Sequence, residues 1–281
     1  MAPDASSAAP GPGDRFGGHA LVQSLTEGSL GPVWRATGPN GEPAVIKFCA
    51  VRDDPSTDRA LRRFAQEARL LERLRHPDIV RLRAFGADRL WSWMAFDFVD
   101  GPDLSQFTTP SFRLSPFQAV GLITQAAEAL DHAHRSGIVH RDIKPENLRI
   151  DLARRRVCVL DFGIAVDLAR DRSATGLAAG TPAYMAPELL AGQTPSVASD
   201  VFALGVTLFE LLAGERPWSA PSLGALLRAI AQDPPQPLVA LCRGLPGALT
   251  DAVQAALQGD PQQRPPSAKD FAQRLRVGLK A

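Results

Sequence analysis

The sequence predicts an α+β protein of two unequal lobes, and three observations carry that expectation. Short strand-like runs broken by glycine turns fill residues 21 to 48, the hydrophobic period becomes helical between Asp58 and Arg75, and helical patterns dominate after about residue 115. With 281 residues, 45% of them hydrophobic and 22% charged, the chain can bury one large core or two lobes sharing a cleft.

Residues 1 to 13, "MAPDASSAAPGPG", lack apolar periodicity and are rich in Pro, Gly, Ala and Ser, so they read as a disordered tail. "AVIKF" (Ala44 to Phe48) is the clearest strand core of the first lobe. In the helix that follows, Leu61, Phe64, Ala68, Leu71 and Leu74 share one face, while Arg62, Arg63, Arg69 and Arg73 point elsewhere. Glu67 falls on the apolar face, where a carboxylate calls for a cationic partner. Strands return between Ile79 and Val99, and the lobe boundary falls near Asp100 to Pro102. Ser115 then caps a helix with Pro116 in its first turn, running to about Ser136 and stopped by Gly137. Further helices are expected at about 196 to 213, 222 to 232, 246 to 258 and 267 to 277, with no internal repeat.

Composition narrows the function classes. A formal net charge of +1 gives no footprint for a nucleic-acid or membrane-surface binder. Cys49, Cys158 and Cys242 are odd in number and widely spaced, which suggests neither a disulfide framework nor a zinc site and fits a reducing, cytoplasmic setting. The longest apolar run, Val201 to Gly214, is too short for a bilayer and contains Glu210.

Against this background one stretch stands out. "HRDIKPEN", residues 140 to 147, holds one of only four lysines and one of only two asparagines in the chain, the other cations being almost all arginine. Taken with "AVIK" before it and "DFG" (Asp161 to Gly163) and "APE" (Ala186 to Glu188) after it, it resembles the protein-kinase signature set. The resemblance covers about residues 15 to 278 and is closest to bacterial eukaryotic-like (Hanks-type) serine/threonine kinases. It implies a bilobal kinase-like fold: a small, mainly antiparallel N-lobe with one key helix (about 14 to 99) and a larger helical C-lobe (about 100 to 278).

The resemblance also implies roles. Phosphoryl transfer needs in-line positioning and neutralisation of phosphate charge more than covalent chemistry. Asp142 would accept or orient the acceptor hydroxyl's proton, and Lys144 would contact the transferring phosphate as a compact cation. Asn147 and Asp161 would ligate Mg2+, or Mn2+, through hard oxygens. Lys47 would bind the ATP α- and β-phosphates and pair with Glu67, a contact of about 4 kcal/mol at ~4 Å and an effective dielectric near 20, before desolvation. Gly28, Gly31 and Val33 match the glycine loop, whose first glycine is replaced by Thr26. Val45 would roof the adenine, Arg149 would lie beneath it, Asp97 to Val99 would form the hinge after Phe96, and Asp103 would approach the ribose. His140 would pack with Leu71, Leu82 and Phe162 as an internal spine rather than act as a base.

"GTPAYMAPE" (Gly180 to Glu188) resembles a peptide-docking loop, with Glu188 expected to pair with Arg264 and Asp200 to brace the catalytic loop. Lys144 with Thr181 matches the serine/threonine pattern, so the expected partners are protein substrates with Ser or Thr acceptors. Glu146, Asp103 and Glu210 match positions that in some relatives hold basic residues before the acceptor. Ser173 and Thr175 are candidate autophosphorylation sites, with Arg141 available to receive a phosphate and Val166 where many phosphate-activated relatives carry a second cation. The competing reading is a pseudokinase scaffold, to which Thr26, Val45 and Arg149 point. Substrate, upstream signal and oligomeric state are not written in the sequence.

Overall fold

The computed structural model describes residues 9–28, 30–51, 55–109, 112–162, 166–167 and 181–280. Gly163, Ser173, Thr175, Gly180 and the side chain of Val166 lie outside the described residues. The chain forms two compact units, one built from residues up to Arg75 plus Val80–Phe98, the other from His76–Ile79 plus Val99 onward.

In the first unit, β1 (Arg15–Phe16), β2 (His19–Glu27), β3 (Pro32–Thr37) and β4 (Pro43–Ala50) precede α1 (Pro55–Arg73), and β5 (Leu82–Ala87) and β6 (Trp91–Asp97) follow it. These six strands make one antiparallel sheet in the order β1-β2-β3-β4-β6-β5. Alternation explains its core: Leu21, Trp34, Ala36, Ala44, Ile46, Phe48 and Trp93 are buried together on one side of their strands. Phe48 anchors the cluster edge-on to Phe16 at 4.7 Å and Trp91 at 5.8 Å. The chain is engaged ahead of β1 as well, since Gly13 donates its N–H to Leu21 O at 2.9 Å.

The second unit begins with the short strands β7 (Thr108–Thr109) and β8 (Phe112–Arg113), then α2 (Pro116–Arg135) and β9 (Ile138–Val139). The hairpin β10 (Leu148–Asp151) and β11 (Arg156–Val159) comes next, and β12 (Val166–Asp167) pairs back onto β9. The remainder is helical: α3 (Pro187–Leu190), α4 (Val197–Ala213), α5 (Leu223–Gln232), α6 (Leu238–Leu241), α7 (Gly247–Ala256) and α8 (Ala268–Lys280). The helix starting at Pro116 forms as its cap predicts: Ser115 Oγ accepts the Gln118 N–H at 3.3 Å and Gln118 Oε1 accepts the Ser115 N–H at 3.0 Å.

His76–Ile79 joins this unit through hydrogen bonds that sequence patterning does not reveal. Val159 donates its N–H to Asp78 O at 2.8 Å, and the fully buried Asp78 carboxylate takes a bidentate contact from Arg156 at 2.6 and 2.5 Å.

Two buried charged groups organise the helical unit around α4, which is apolar on nearly every face and is a core helix, not a spanning one. Arg264 meets Glu188 through two parallel contacts of 2.8 Å. Its remaining donors reach Gln258 O, Ala198 O and Gly259 O, so all five guanidinium N–H groups are satisfied inside the protein. Asp200, with no exposed surface, accepts the backbone N–H of His140 at 2.8 Å, that of Arg141 at 2.9 Å, and His134 Nε2–H at 2.7 Å. Burial alone would push its carboxyl up, but the hydrogen bond and charge of His134 and the Arg141 amide outweigh it and hold the carboxyl below the ordinary 3.8.

Arg264→Ala leaves the Glu188 carboxylate buried and unpaired, so denaturant unfolding should show a loss of about 3–5 kcal/mol. The double replacement Glu188→Leu with Arg264→Met should lose clearly less. A depressed folded-state value means that Asp200 contributes stability above the ordinary aspartate range, and that the contribution fades as pH falls through the lower folded value. Melting curves recorded between neutral and strongly acidic pH should therefore fall less steeply below pH 3.8 for Asp200→Asn than for the unaltered chain.

Candidate active site

The loop His140–Asn147 connects β9 to β10 and carries the densest polar constellation of the second unit. Arg141 sits at φ 73°, a region that disfavours side chains, and the two amides held by Asp200 fix it there. His140 is fully buried against Phe162, with ring centroids 4.4 Å apart. Its Nε2 lies 2.8 Å from Leu160 O, which can only accept, so the proton resides on Nε2 and Nδ1 accepts the Asp142 N–H at 3.3 Å. With both ring nitrogens engaged, this packed imidazole orients Asp142 and is not placed to act as a base. Leu71 and Leu82 belong to the other unit.

Asp142 is the focus. Lys144 Nζ lies 2.9 Å from its Oδ2 and donates to Thr181 Oγ1 at 2.7 Å. Thr181 N–H donates to Asp142 Oδ1 at 3.1 Å, and Asn147 Nδ2 donates to both Asp142 O at 2.7 Å and Oδ2 at 3.0 Å. Each neighbour donates to the carboxylate, so it is held as a fixed acceptor able to orient a hydroxyl. Thr181, singled out in the sequence only as part of a specificity pattern, locks both Asp142 and Lys144 in place. The signal for it was its position in "GTPAYMAPE", 37 residues beyond Lys144.

The oxygen donors fit a hard divalent cation. Both Asn147 amide hydrogens are committed to Asp142, so the carbonyl oxygen of that side chain is the group left to ligate. Leu160 donates its N–H to Asn147 O at 2.8 Å, which ties the backbone immediately before Asp161 to Asn147. Asp161 itself takes a left-handed φ of 54°. Among the described residues no cluster of three or more His, Cys, Asp or Glu forms a metal cage, and one carboxylate plus one amide oxygen suits an ion that keeps part of its water shell.

Arg149 and Asp103 form a unit of their own. They pair as an isolated backbone bridge, with Arg149 Nη2 at 3.8 Å from Asp103 Oδ2. Asp103 Oδ1 also accepts from Ser105 N–H at 3.1 Å and from the Ser105 hydroxyl. The Arg149 head is therefore turned to a carboxylate that precedes β7 in the chain. Glu210 accepts the Tyr184 hydroxyl at 2.6 Å, its carboxyl pushed up by burial, whereas Glu146 is exposed. Val99 is buried at the start of this unit.

In the first unit the strand register aligns the other expected residues. Val33 pairs with Lys47 across β3 and β4, Thr26 with Val33 across β2 and β3, and Val45 with Phe96 across β4 and β6. Two residues apart on one strand, Val45 and Lys47 share a face. Lys47 Nζ lies 5.6 Å from the Phe96 ring centroid, and Glu67 is buried on α1, which packs against β4. The glycine turn closes through Gly28 N–H to Gly31 O at 2.9 Å, and a Cβ at Gly31 would stand 2.7 Å from Phe48 O. That close approach excludes any larger residue there. The Asp97 side chain accepts from Arg83 Nε, and Arg83 also reaches Glu42 at 3.1 Å.

Comparison with known proteins agrees with this geometry. The family model described as protein kinase domain matches residues 20–274. The chain is similar to the serine/threonine-protein kinase PkaB of Streptomyces coelicolor, 36% identical over 274 residues, covering 94% of this chain and 63% of that protein. It is also similar to PknJ of Mycobacterium tuberculosis (35%, covering 95% of this chain and 46% of the relative) and pkn3 of Myxococcus xanthus (33%, 90% and 48%). The chain thus spans about half to 63% of the length of these curated relatives. A match over nearly the whole chain, falling on the residues that fold the Asp142 loop, decides the assignment: the chain belongs to the protein kinase domain family.

Proposed function

We propose that the chain is an active serine/threonine protein kinase that transfers the γ-phosphoryl group of ATP to protein hydroxyls. The observation that carries the reading is the Asp142–Lys144–Thr181 constellation, in which one carboxylate and one ammonium are held together by the same threonine. Asp142 orients the acceptor hydroxyl and takes up its proton, while Lys144 faces the transferring phosphate with a compact charge. Asn147 and Asp161 would hold the divalent metal. Bound Mg2+ would neutralise charge on the nucleotide's phosphate oxygens. In the first unit Lys47 holds the α- and β-phosphates with Glu67 as its partner, and the Gly28–Gly31 turn offers backbone amides. Val33, Val45 and Asp97 in the first unit, and Val99, Asp103 and Arg149 in the second, are the residues proposed to serve the nucleoside.

Three further points complete the proposal. The kinase domain is taken as residues 14–278, and Gly13 just ahead of it is hydrogen-bonded to Leu21 O. No helix among the described residues is long and apolar enough to cross a membrane, and all three cysteines are unpaired, which supports a cytoplasmic, reducing setting. Autophosphorylation at Ser173 or Thr175, with Arg141 as receiver, remains part of the same proposal.

Transfer of labelled phosphate to a generic protein substrate tests the assignment. Asp142→Asn should lower kcat by about 10²- to 10⁴-fold with little change in nucleotide affinity. If the unaltered chain shows only background transfer and binds no Mg-ATP, the kinase reading fails and a scaffold role replaces it. Thr181→Val keeps the backbone N–H to Asp142 but removes the Oγ1 contacts to Lys144 at 2.7 Å and to Asp142 Oδ1 at 3.4 Å, and should lower kcat by roughly 10- to 100-fold while the nucleotide KM stays within about 2-fold.

A further inference from the structure

A groove of about 380 Å³ runs along the outer face of α2 beside the β10–β11 hairpin, within the helical unit. Its apolar walls are unusually open: Phe117 is 73% exposed and Leu152 57% exposed, and both line it. Isolated exposed apolar residues need no explanation, but two large ones lining the same groove do.

The polar lining has one character. Gln118 Oε1 already accepts from Ser115, and Gln125 Oε1 accepts the Val157 N–H at 3.0 Å, so what each amide offers the groove is its NH2 group. Three consecutive arginines run from the turn of the hairpin into the first residue of β11. Arg154 is paired with Asp151 and Arg156 with Asp78, while Arg155, which lines the groove, has no acidic partner among the described residues. Each polar side chain lining the groove thus offers a donor, and its complement is a ligand rich in acceptors, with a negative charge at the Arg155 end.

Gly121 supplies an independent observation. It lies inside α2, where glycine weakens a helix relative to alanine, yet a Cβ added there would meet no atom within 4 Å. The fold does not require the glycine. An extended chain lying close against the helix would, because its backbone could approach there while its carbonyls reach Gln118 and Gln125.

We propose that this groove docks an acidic, apolar peptide segment of a partner protein, two aliphatic or aromatic anchors entering between Phe117 and Leu152 and a following carboxylate meeting Arg155. This is a surface separate from the Asp142 site. Its occupancy can be measured without nucleotide, so its failure would leave the phosphotransfer reading standing.

The probe is a fluorescein-labelled peptide with two leucines at alternate positions followed by two glutamates in a glycine-serine background, titrated with the full chain by fluorescence anisotropy. Saturable, salt-sensitive binding is expected, weakened ~10-fold or more in Gly121→Phe, which fills the groove, and in Arg155→Glu. A matching peptide with lysines in place of the glutamates should bind the unaltered chain more weakly and Arg155→Glu more tightly, an inversion that a misfolded variant could not produce. Both variants should keep the melting temperature and the transfer rate to a generic substrate. The proposal is overturned if the glutamate peptide does not bind, if the two peptides bind equally, or if Gly121→Phe binds as the unaltered chain does. It is also overturned if sedimentation shows the chain self-associating and Gly121→Phe abolishes that association, since a second copy would then be the occupant.

Discussion

One buried carboxylate sets the conformation of the loop that carries Asp142, Lys144 and Asn147. Asp200 receives the amides of His140 and Arg141 on separate oxygens, and His134 completes its shell. Left-handed backbone at a non-glycine residue costs about 1–2 kcal/mol, and Arg141 adopts it at φ 73°. Hydrogen bonds to a charged acceptor contribute about 1.5–3 kcal/mol each, so two of them outweigh the strain. The consequences propagate in order. With its amide fixed, His140 packs on Phe162 and donates to Leu160 O; with its tautomer fixed, it accepts the Asp142 N–H; and Asp142, so oriented, gathers Asn147, Lys144 and Thr181.

The same helix holds the other side of the constellation. Thr181 begins the segment that ends at Glu188, and Glu188 is clamped by Arg264, whose guanidinium also reaches Ala198 O at the start of α4. Asp200 stands two residues further along that helix. Both partners of Lys144 are thus referred to one apolar, buried helix, which cannot shift without breaking close-packed contacts. A buried ion pair is a weak source of net stability, and Glu188–Arg264 is better understood as fixing where Thr181 stands.

Local chemistry in the sequence reveals the parts of this fold that local chemistry makes. The capped helix at Ser115, the α1 face ending near Arg73 and the strand core at Ala44 to Phe48 all follow from period and caps. The β10–β11 hairpin does not, because its turn runs through Ala153, Arg154 and Arg155 without the Asn-Gly or Asp-Gly pair that marks a tight turn. Nor does the membership of His76–Ile79 in the second unit, which rests on Asp78 meeting a strand about 80 residues later. Around the candidate site, motif spacing pointed to the Glu188–Arg264 pair and to Asp200 beneath the loop, but not to every partner. His134 meets Asp200 across 66 residues, and Arg149 meets Asp103, a pairing that helical or strand periodicity cannot encode.

The scarcity of lysine now has a physical reading at position 144. In a chain with only four lysines, the ammonium of Lys144 touches a carboxylate oxygen at 2.9 Å and a hydroxyl at 2.7 Å. Three donors spread tetrahedrally from one nitrogen can serve both acceptors and still leave one N–H for a third group. Arginine presents its donors in a planar fork suited to two acceptors lying side by side, as Arg264 does against Glu188 and Arg156 against Asp78. At Lys144 the two acceptors belong to different segments of chain, Asp142 in the loop and Thr181 beyond it, so a fork that satisfied one would turn its plane from the other. The chain uses arginine where it clamps a single carboxylate and lysine where one charge must answer to several acceptors at once.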